Sequence, residues 1–540
     1  MKLPLVLRHP LHRGAAVAAT MLLACTALPA NATAPTVSVA AGAIAGNNAT
    51  VGGVALNEFH GIPYAAPPVG ALRWKPPQPV APWTGVRKAQ RFGPRCMQRP
   101  IYSDMVFRSD GVSEDCLYLN VWTPAHATAQ KLPVLVYFYG GGYMAGDASE
   151  PRYDGASMAA RGIVTVTVNY RLGVFGFLAL PALAAESPRH AAGNYGLLDQ
   201  NAALHWVRQN IARFGGDPAK ITIGGESAGS MSVSALMASP LSKDVIAGAI
   251  GESGALIAPL SPLPLAVAQQ RGEKFMAQVG ADSLAALRAM PAEALLRATA
   301  DKSTPRFAPD IDGYFLTEPP AATFARGAQA AVPLLLGSNS QEGSYLGLLD
   351  GKSPTPANYR AALSRLFGAQ APRALALYPG DDEEAVKRSG TALAGDMFIA
   401  HSTWRWMDLH RHTGNAPVYF YYYDQPRPAR RKPVAGETAD AGAVHSAEIE
   451  YALGNLDGNP VYAWTADDRE TSRLLQGYFA QFIKHGDPNG EGLPAWPATV
   501  ESAGGLRRQT IDAHPRNVVD NGAARQEFLQ QFYAGQPGAL

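Results

Sequence analysis

The residues best suited to do chemistry lie at Gly225-Glu226-Ser227-Ala228-Gly229, a G-x-S-x-G pentapeptide. An apolar β-type run precedes it and a helix-like segment follows. The two glycines permit a sharp strand-to-helix turn in which the serine backbone is strained and its hydroxyl projects outward. A helix N-terminus behind that oxygen also favours developing negative charge. A serine hydroxyl becomes a nucleophile only when a neighbouring base takes its proton and a carboxylate orients the base. On a strand–turn–helix scaffold of this kind, the acid and then the histidine follow the serine in sequence. The histidines beyond Ser227 are His401, His410, His412, His445, His485 and His514. His445 stands in a short polar break, Ala443-Val444-His445-Ser446, and is the candidate base. His401, His410 and His412 fall in a helix-like stretch rich in Trp and Arg and read as packing or surface residues. Glu342 follows the apolar run VPLLLG after a short polar turn and is the candidate acid. Asp310 and Asp312 are alternatives, although Asp312-Gly313 reads as turn chemistry. Backbone N–H groups must hold the oxyanion. Gly140-Gly141-Gly142, exposed after a strand, supplies Gly141 and Gly142, and Ala228 would be the third donor.

These groups need a scaffold that brings distant positions together. Short β-branched runs alternate with helical patterns at 133–138 (PVLVYF), 163–169 (IVTVTVN), 220–225 (KITIGG), 332–337 (VPLLLG) and 418–423 (VYFYYY). Residues 202–214 have helical spacing and end at Gly215-Gly216. Strands buried on both faces and separated by helices predict a large, mostly parallel sheet covered by helices on both faces. Loops at the carboxyl ends of such strands are where sites form. The candidate serine, acid, histidine and glycines all follow such runs.

Composition narrows the class. Of 540 residues 47% are hydrophobic, which excludes a disordered or fibrous chain. Lys plus Arg number 46 against 44 Asp plus Glu, so no electrostatic case exists for nucleic acid. No Cys/His cluster has zinc spacing, and the chemistry requires no metal or organic cofactor. The first 32 residues read as a secretory signal peptide: Lys2, Arg8 and Arg13, an apolar run from Gly14 to Leu28, then Ala30-Asn31-Ala32. The run is shorter than the ~20 residues a spanning helix requires. A loose lipobox, Leu22-Leu23-Ala24-Cys25, makes a lipid anchor at Cys25 the alternative. The expectation is therefore a secreted or periplasmic protein with a single domain over 33–540. An oxidising compartment makes Cys96 and Cys116 candidates for a disulfide, worth about 3 kcal/mol in the chain-entropy model.

The motifs in order resemble the type B carboxylesterases, the α/β-hydrolase family that includes cholinesterases and many bacterial esterases. The resemblance runs over nearly the whole chain. It is carried by Phe59-His60-Gly61-Ile62-Pro63-Tyr64-Ala65, Ser113-Glu114-Asp115-Cys116-Leu117-Tyr118-Leu119-Asn120, Asn169-Tyr170-Arg171-Leu172-Gly173, Gly193-Asn194-Tyr195-Gly196, Phe214-Gly215-Gly216-Asp217-Pro218 and Gly486-Asp487-Pro488-Asn489. It implies the α/β-hydrolase fold, Ser227 as nucleophile, Glu342 as acid and His445 as base. It places the oxyanion amides on Gly141, Gly142 and Ala228, pairs Cys96 with Cys116, and makes Ser253 a supporting serine near the triad. Tyr139 stands before the triple glycine, as in cholinesterases, where many bacterial relatives have His.

The implied partner is a small-molecule ester. Residues 97–115 contain Tyr102 and Phe107 but no Trp, which disfavours the cation site of choline-ester hydrolases. The stretch resembling the family's acyl pocket, Ser303-Thr304-Pro305-Arg306-Phe307, lacks paired aromatics, so a bulkier acyl group is accommodated. Arg427, Arg430, Arg431 and Lys432 lie ahead of His445. Guanidinium groups bind carboxylates bidentately, which points to an ester whose acyl part bears free carboxylates, with Arg427, Arg430 and Arg431 as its candidate ligands. A broad-specificity carboxylesterase or amidase, and a non-catalytic binding module, are the competing readings.

Overall fold

Val164–Val168 (VTVTV) is buried along its whole length, the signature of a strand covered on both faces. It pairs in parallel with Leu132–Phe138, which pairs in parallel with Gly216–Glu226. The parallel series continues through Gly248–Glu252, Leu334–Asn339, Val418–Tyr423 and Gly505–Ile511. Antiparallel strands extend both sides. Tyr118–Pro124, Val54–Pro63 and Asn47–Val51 lie beyond Val164–Val168, while Arg516–Val519 and Glu501–Ser502 flank Gly505–Ile511. The structure, a computed structural model, describes residues 33–127, 129–432, 441–502 and 505–535, and among these twelve strands form one sheet. The large, mostly parallel sheet flanked by helices is as expected. The leader at 1–32, with Cys25, lies outside the described residues. The chain from Ala34 onward forms one compact unit.

Helix boundaries follow local chemistry. The helix expected over 202–214 begins earlier, at Tyr195, and runs to Asn210. A 3₁₀ turn over Ile211–Phe214 completes it, and Gly215 closes it in the left-handed region with φ 86°. Ala466–His485 opens on a capping box between Thr465 and Asp468 and ends at left-handed Gly486. Among the described residues no helix is long and apolar enough to cross a membrane.

Several motifs prove to be buried ion pairs that tie loops to the sheet. Arg171 grips Asp199 with two hydrogen bonds of 2.8 Å, both groups being buried. Arg73 reaches Glu114 through two bonds of 2.6 Å. Cys96 and Cys116 are joined as a disulfide, which closes the loop carrying Tyr102 and Met105. A smaller core of Tyr359, Leu363, Val386, Leu393 and Phe528 packs beside the main one.

Candidate active site

Ser227, Glu342 and the glycines follow the carboxyl ends of parallel strands, and His445 is brought to them by a bridge between Val444 and Gln341. Ser227 follows Gly216–Glu226 and is the N-cap of the helix Ala228–Ala238. Its φ of 56° and ψ of −119° are rare for a residue with a side chain. The turn is held by the Ser227 N–H, which donates to Glu252 O at 2.8 Å. The flanking glycines are sterically required. A Cβ on Gly229 would stand 2.0 Å from Phe138 O, and one on Gly225 would stand 2.6 Å from the same atom. The elbow therefore packs directly on the end of the neighbouring strand.

His445 Nε2 lies 3.0 Å from Ser227 Oγ, and its Nδ1 lies 2.6 Å from Glu342 Oε2. The other oxygen of Glu342 accepts from the Asn339 N–H at 2.7 Å and from Ser253 Oγ. Ser253 thus lies within hydrogen-bond reach of Glu342. The alternatives fall elsewhere. Asp310 is buried against Asn194, and Asp312 accepts from the N–H groups of Tyr314, Phe315 and Leu316, closing a turn. His401 contacts Gln526, and His410 contacts Gln329 and Val332 O, so both are packing residues.

Gly141 and Gly142 both have positive φ, 104° and 63°. A Cβ on Gly141 would lie 2.1 Å from Ala145 O, so only glycine permits this path. Among the described residues no protein acceptor takes the N–H of Gly141, Gly142 or Ala228. Three unused donors beside a serine hydroxyl are what an oxyanion demands.

Sequence reasoning missed the charge that surrounds the histidine. Glu226 and Glu448 are buried near Glu342, and Glu252 is buried near both of them and bonded to the Tyr137 hydroxyl. Glu226 Oε1 is 3.2 Å from His445 Nε2. Burial works against a charged imidazole, but the nearby carboxylates Glu226 and Glu342 outweigh it and raise His445 to about 10. The acids are perturbed in turn. Burial raises Glu226, Glu252 and Glu448, the last to about 8. A proton held by one of these carboxylates would weaken the pull on His445. These glutamates are scattered through the sequence, and the one available signal was Glu226, adjacent to the serine within the pentapeptide.

A cavity of about 800 Å³ opens over Ser227 and His445. Phe398, on a π-helical turn over Asp396–Ala400, packs edge-on against the His445 ring with centroids 5.2 Å apart. The three arginines expected to face substrate divide. Arg427 lines the cavity, but its guanidinium is buried and bonded to Glu450 at 3.0 Å and to Ser446 O. Arg430 lines the cavity and lies over the Tyr462 ring. Arg431, the third expected ligand, donates from Nε to Tyr462 O at 3.0 Å and is not among the described residues that line the cavity. The backbone bridge between Arg430 and Tyr462 turns successive side chains to opposite sides. Sequence reasoning passed over Arg306, which lines the cavity and donates to Gly142 O at 3.0 Å.

The model of the carboxylesterase family matches residues 33–527. The chain belongs to the carboxylesterase family. Its members are carboxylic-ester hydrolases, and the fold and the serine elbow accord with that chemistry. This carboxylesterase is similar to a fumonisin B1 esterase of Sphingopyxis macrogoltabida, 35% identical over 91% of this chain and 90% of the relative. It is also similar to carboxylesterase 5A of Canis lupus familiaris, 37% identical over 89% and 87% of the two chains. Liver carboxylesterase 1 of Oryctolagus cuniculus is 34% identical over 89% and 91%.

Proposed function

We propose that this carboxylesterase hydrolyses esters through an acyl-enzyme on Ser227. The observation that carries the reading is the relay of 3.0 Å from Ser227 to His445 and 2.6 Å from His445 to Glu342. Ser227 Oγ attacks the ester carbonyl while His445 takes its proton, and Glu342 stabilises the resulting imidazolium. The carbonyl oxygen, now negative, is received by the N–H groups of Gly141, Gly142 and Ala228. His445 returns the proton to the leaving alcohol. Water then attacks the acyl-enzyme, with His445 again as base. The leader at 1–32 carries the protein out of the cytoplasm into an oxidising compartment, and the disulfide forms there.

Its substrate is an ester with a carboxylate-bearing acyl group, such as the tricarballylate esters of fumonisin B1. Arginines on the cavity wall and the name of the bacterial relative support this. A second reading, broad hydrolysis of neutral esters, is favoured by the apolar wall of Met231, Leu256, Leu260 and Phe398 and by the vertebrate relatives. A non-catalytic binding module would have no use for an intact relay and oxyanion glycines.

A fluorophosphonate probe should label the wild type on Ser227 and leave Ser227→Ala unlabelled. Rates on fumonisin B1, a neutral ester and a choline ester then rank the substrates. Faster turnover of the neutral ester would favour the second reading, and failure on all three would remove the esterase assignment.

A further inference from the structure

The segment that ends the acyl-pocket stretch presents its two last side chains to opposite surroundings. Phe307 is buried and packs edge-to-face on Phe275, with centroids 5.3 Å apart. Arg306, its neighbour, points the other way and is exposed on the cavity wall. One N–H of its guanidinium is used, by Gly142 O. Among the described residues no carboxylate pairs with it, in contrast to Arg152, which is bonded to Glu150 at 2.8 Å and Asp104 at 3.2 Å, and to Arg427, which is bonded to Glu450. Of the four described arginines in the cavity wall, Arg152 and Arg427 are neutralised by carboxylates, Arg430 lies over the Tyr462 ring, and Arg306 is a cation with donors to spare.

The position of that cation is set by the oxyanion loop. The point a Cβ on Gly142 would occupy lies 3.0 Å from Arg306 Nη2 and 3.2 Å from Tyr102 Oη. A guanidinium and a phenol therefore flank the open space over Gly142. The geometry also separates this cation from the leaving group. The leaving oxygen must take its proton from His445, so the alcohol departs on the side walled by Phe398. Arg306 and Tyr102 sit instead at Gly142, on the carbonyl-oxygen side. The negative groups at the cavity, Glu226 beside His445 and Asp104 beside Arg152, lie against their own partners.

We propose that Arg306 and Tyr102 form a carboxylate subsite for the acyl half of the substrate, with the Arg306–Gly142 hydrogen bond fixing it relative to the oxyanion amides. This rests on the esterase reading above and assigns its charge recognition to residues other than the arginine cluster at 427–431. A free carboxylate on the acyl chain would accept from the unused N–H groups of Arg306 and from the Tyr102 hydroxyl, as charge-assisted hydrogen bonds.

The test compares monoethyl glutarate with its neutral counterpart ethyl valerate, by proton release, in wild type, Arg306→Met and Tyr102→Phe. The readout is the ratio of kcat/KM for the two esters, so a general loss from a disturbed Gly142 cancels. Arg306→Met is expected to lower the ratio at least tenfold, mainly through KM, and Tyr102→Phe about threefold, the range for lost charged and neutral hydrogen bonds. Arg306→Lys, which keeps charge but not the fork, should restore part of it. Fluorophosphonate labelling of Ser227 in each variant verifies the fold. A ratio that moves less than tenfold in Arg306→Met overturns the subsite. A wild type that hydrolyses neither ester while labelling fails overturns the esterase reading itself.

Discussion

The floor and the wall of the cavity are built by different means. The floor comprises Ser227, Glu342 and the glycine loop, which follow the ends of parallel strands, and His445, which the bridge from Val444 to Gln341 holds beside them. At Gly229 even one methyl group would meet Phe138 O at 2.0 Å. The wall is made of loops: the disulfide loop with Tyr102, the segment at Arg306, and the arginine segment at 427–431. There the backbone tolerates many side chains, and charge pairing decides what each residue does. The lesson is that rigidity places the candidate reaction centre, while charge pairing settles which wall residues keep donors free for a ligand.

That contrast can be broken at several points. The largest effect is expected from Ser227→Ala, which should lower kcat about 10⁴- to 10⁶-fold in steady-state assays with little change in stability. Loss of only tenfold would show that another group is the nucleophile. Next comes Arg427→Met, which leaves Glu450 buried without its cation. Thermal or urea unfolding should register a destabilisation of about 3–5 kcal/mol, whereas exposed Arg431→Ala should stay within about 0.5 kcal/mol. Equal effects would erase the distinction between paired and surface arginines. Gly229→Ala belongs with the floor and should cost about 1–3 kcal/mol through overpacking against Phe138.

The smallest effect is a change of pH profile. His445 must be neutral to accept the serine proton, so activity falls as pH drops through its pKa. Nearby carboxylates raise that pKa above 6.5, so the acid limb of kcat/KM should lie on the alkaline side of an ordinary histidine. Glu226→Gln removes a carboxylate 3.2 Å from the imidazole. The limb should then move to lower pH, by about one unit. A limb that does not move, or moves upward, would show that Glu226 does not act on His445.

The floor was legible in the sequence because each part carries a local signature. Val164–Val168 is β-branched and apolar, Ser227 lies between glycines, and Glu342 and His445 follow apolar strands in the required order. The antiparallel strands at 47–63 and 118–124 were harder to read as strands, since Val54–Pro63 mixes Asn57, Glu58 and His60 with apolar residues and contains Gly61. The carboxylates that act on His445 come from positions 226, 342 and 448 and converge only through the fold. The wall was least legible. A run of Arg427, Arg430 and Arg431 suggests one shared role, yet Glu450 lies beyond His445 and claims the first, while the Tyr462 backbone turns the last away. Arg306 stood alone in its stretch and gained meaning only from its contact with Gly142.

The central claim is an acyl-enzyme on Ser227. The most direct measurement is rapid quench of 4-nitrophenyl acetate turnover, followed by mass spectrometry of the peptide containing residues 216–238. The account predicts a burst of about one equivalent of 4-nitrophenol per active site, with a single acetyl group on Ser227. Turnover without a burst and without an adduct, or an adduct on any other residue, would contradict it.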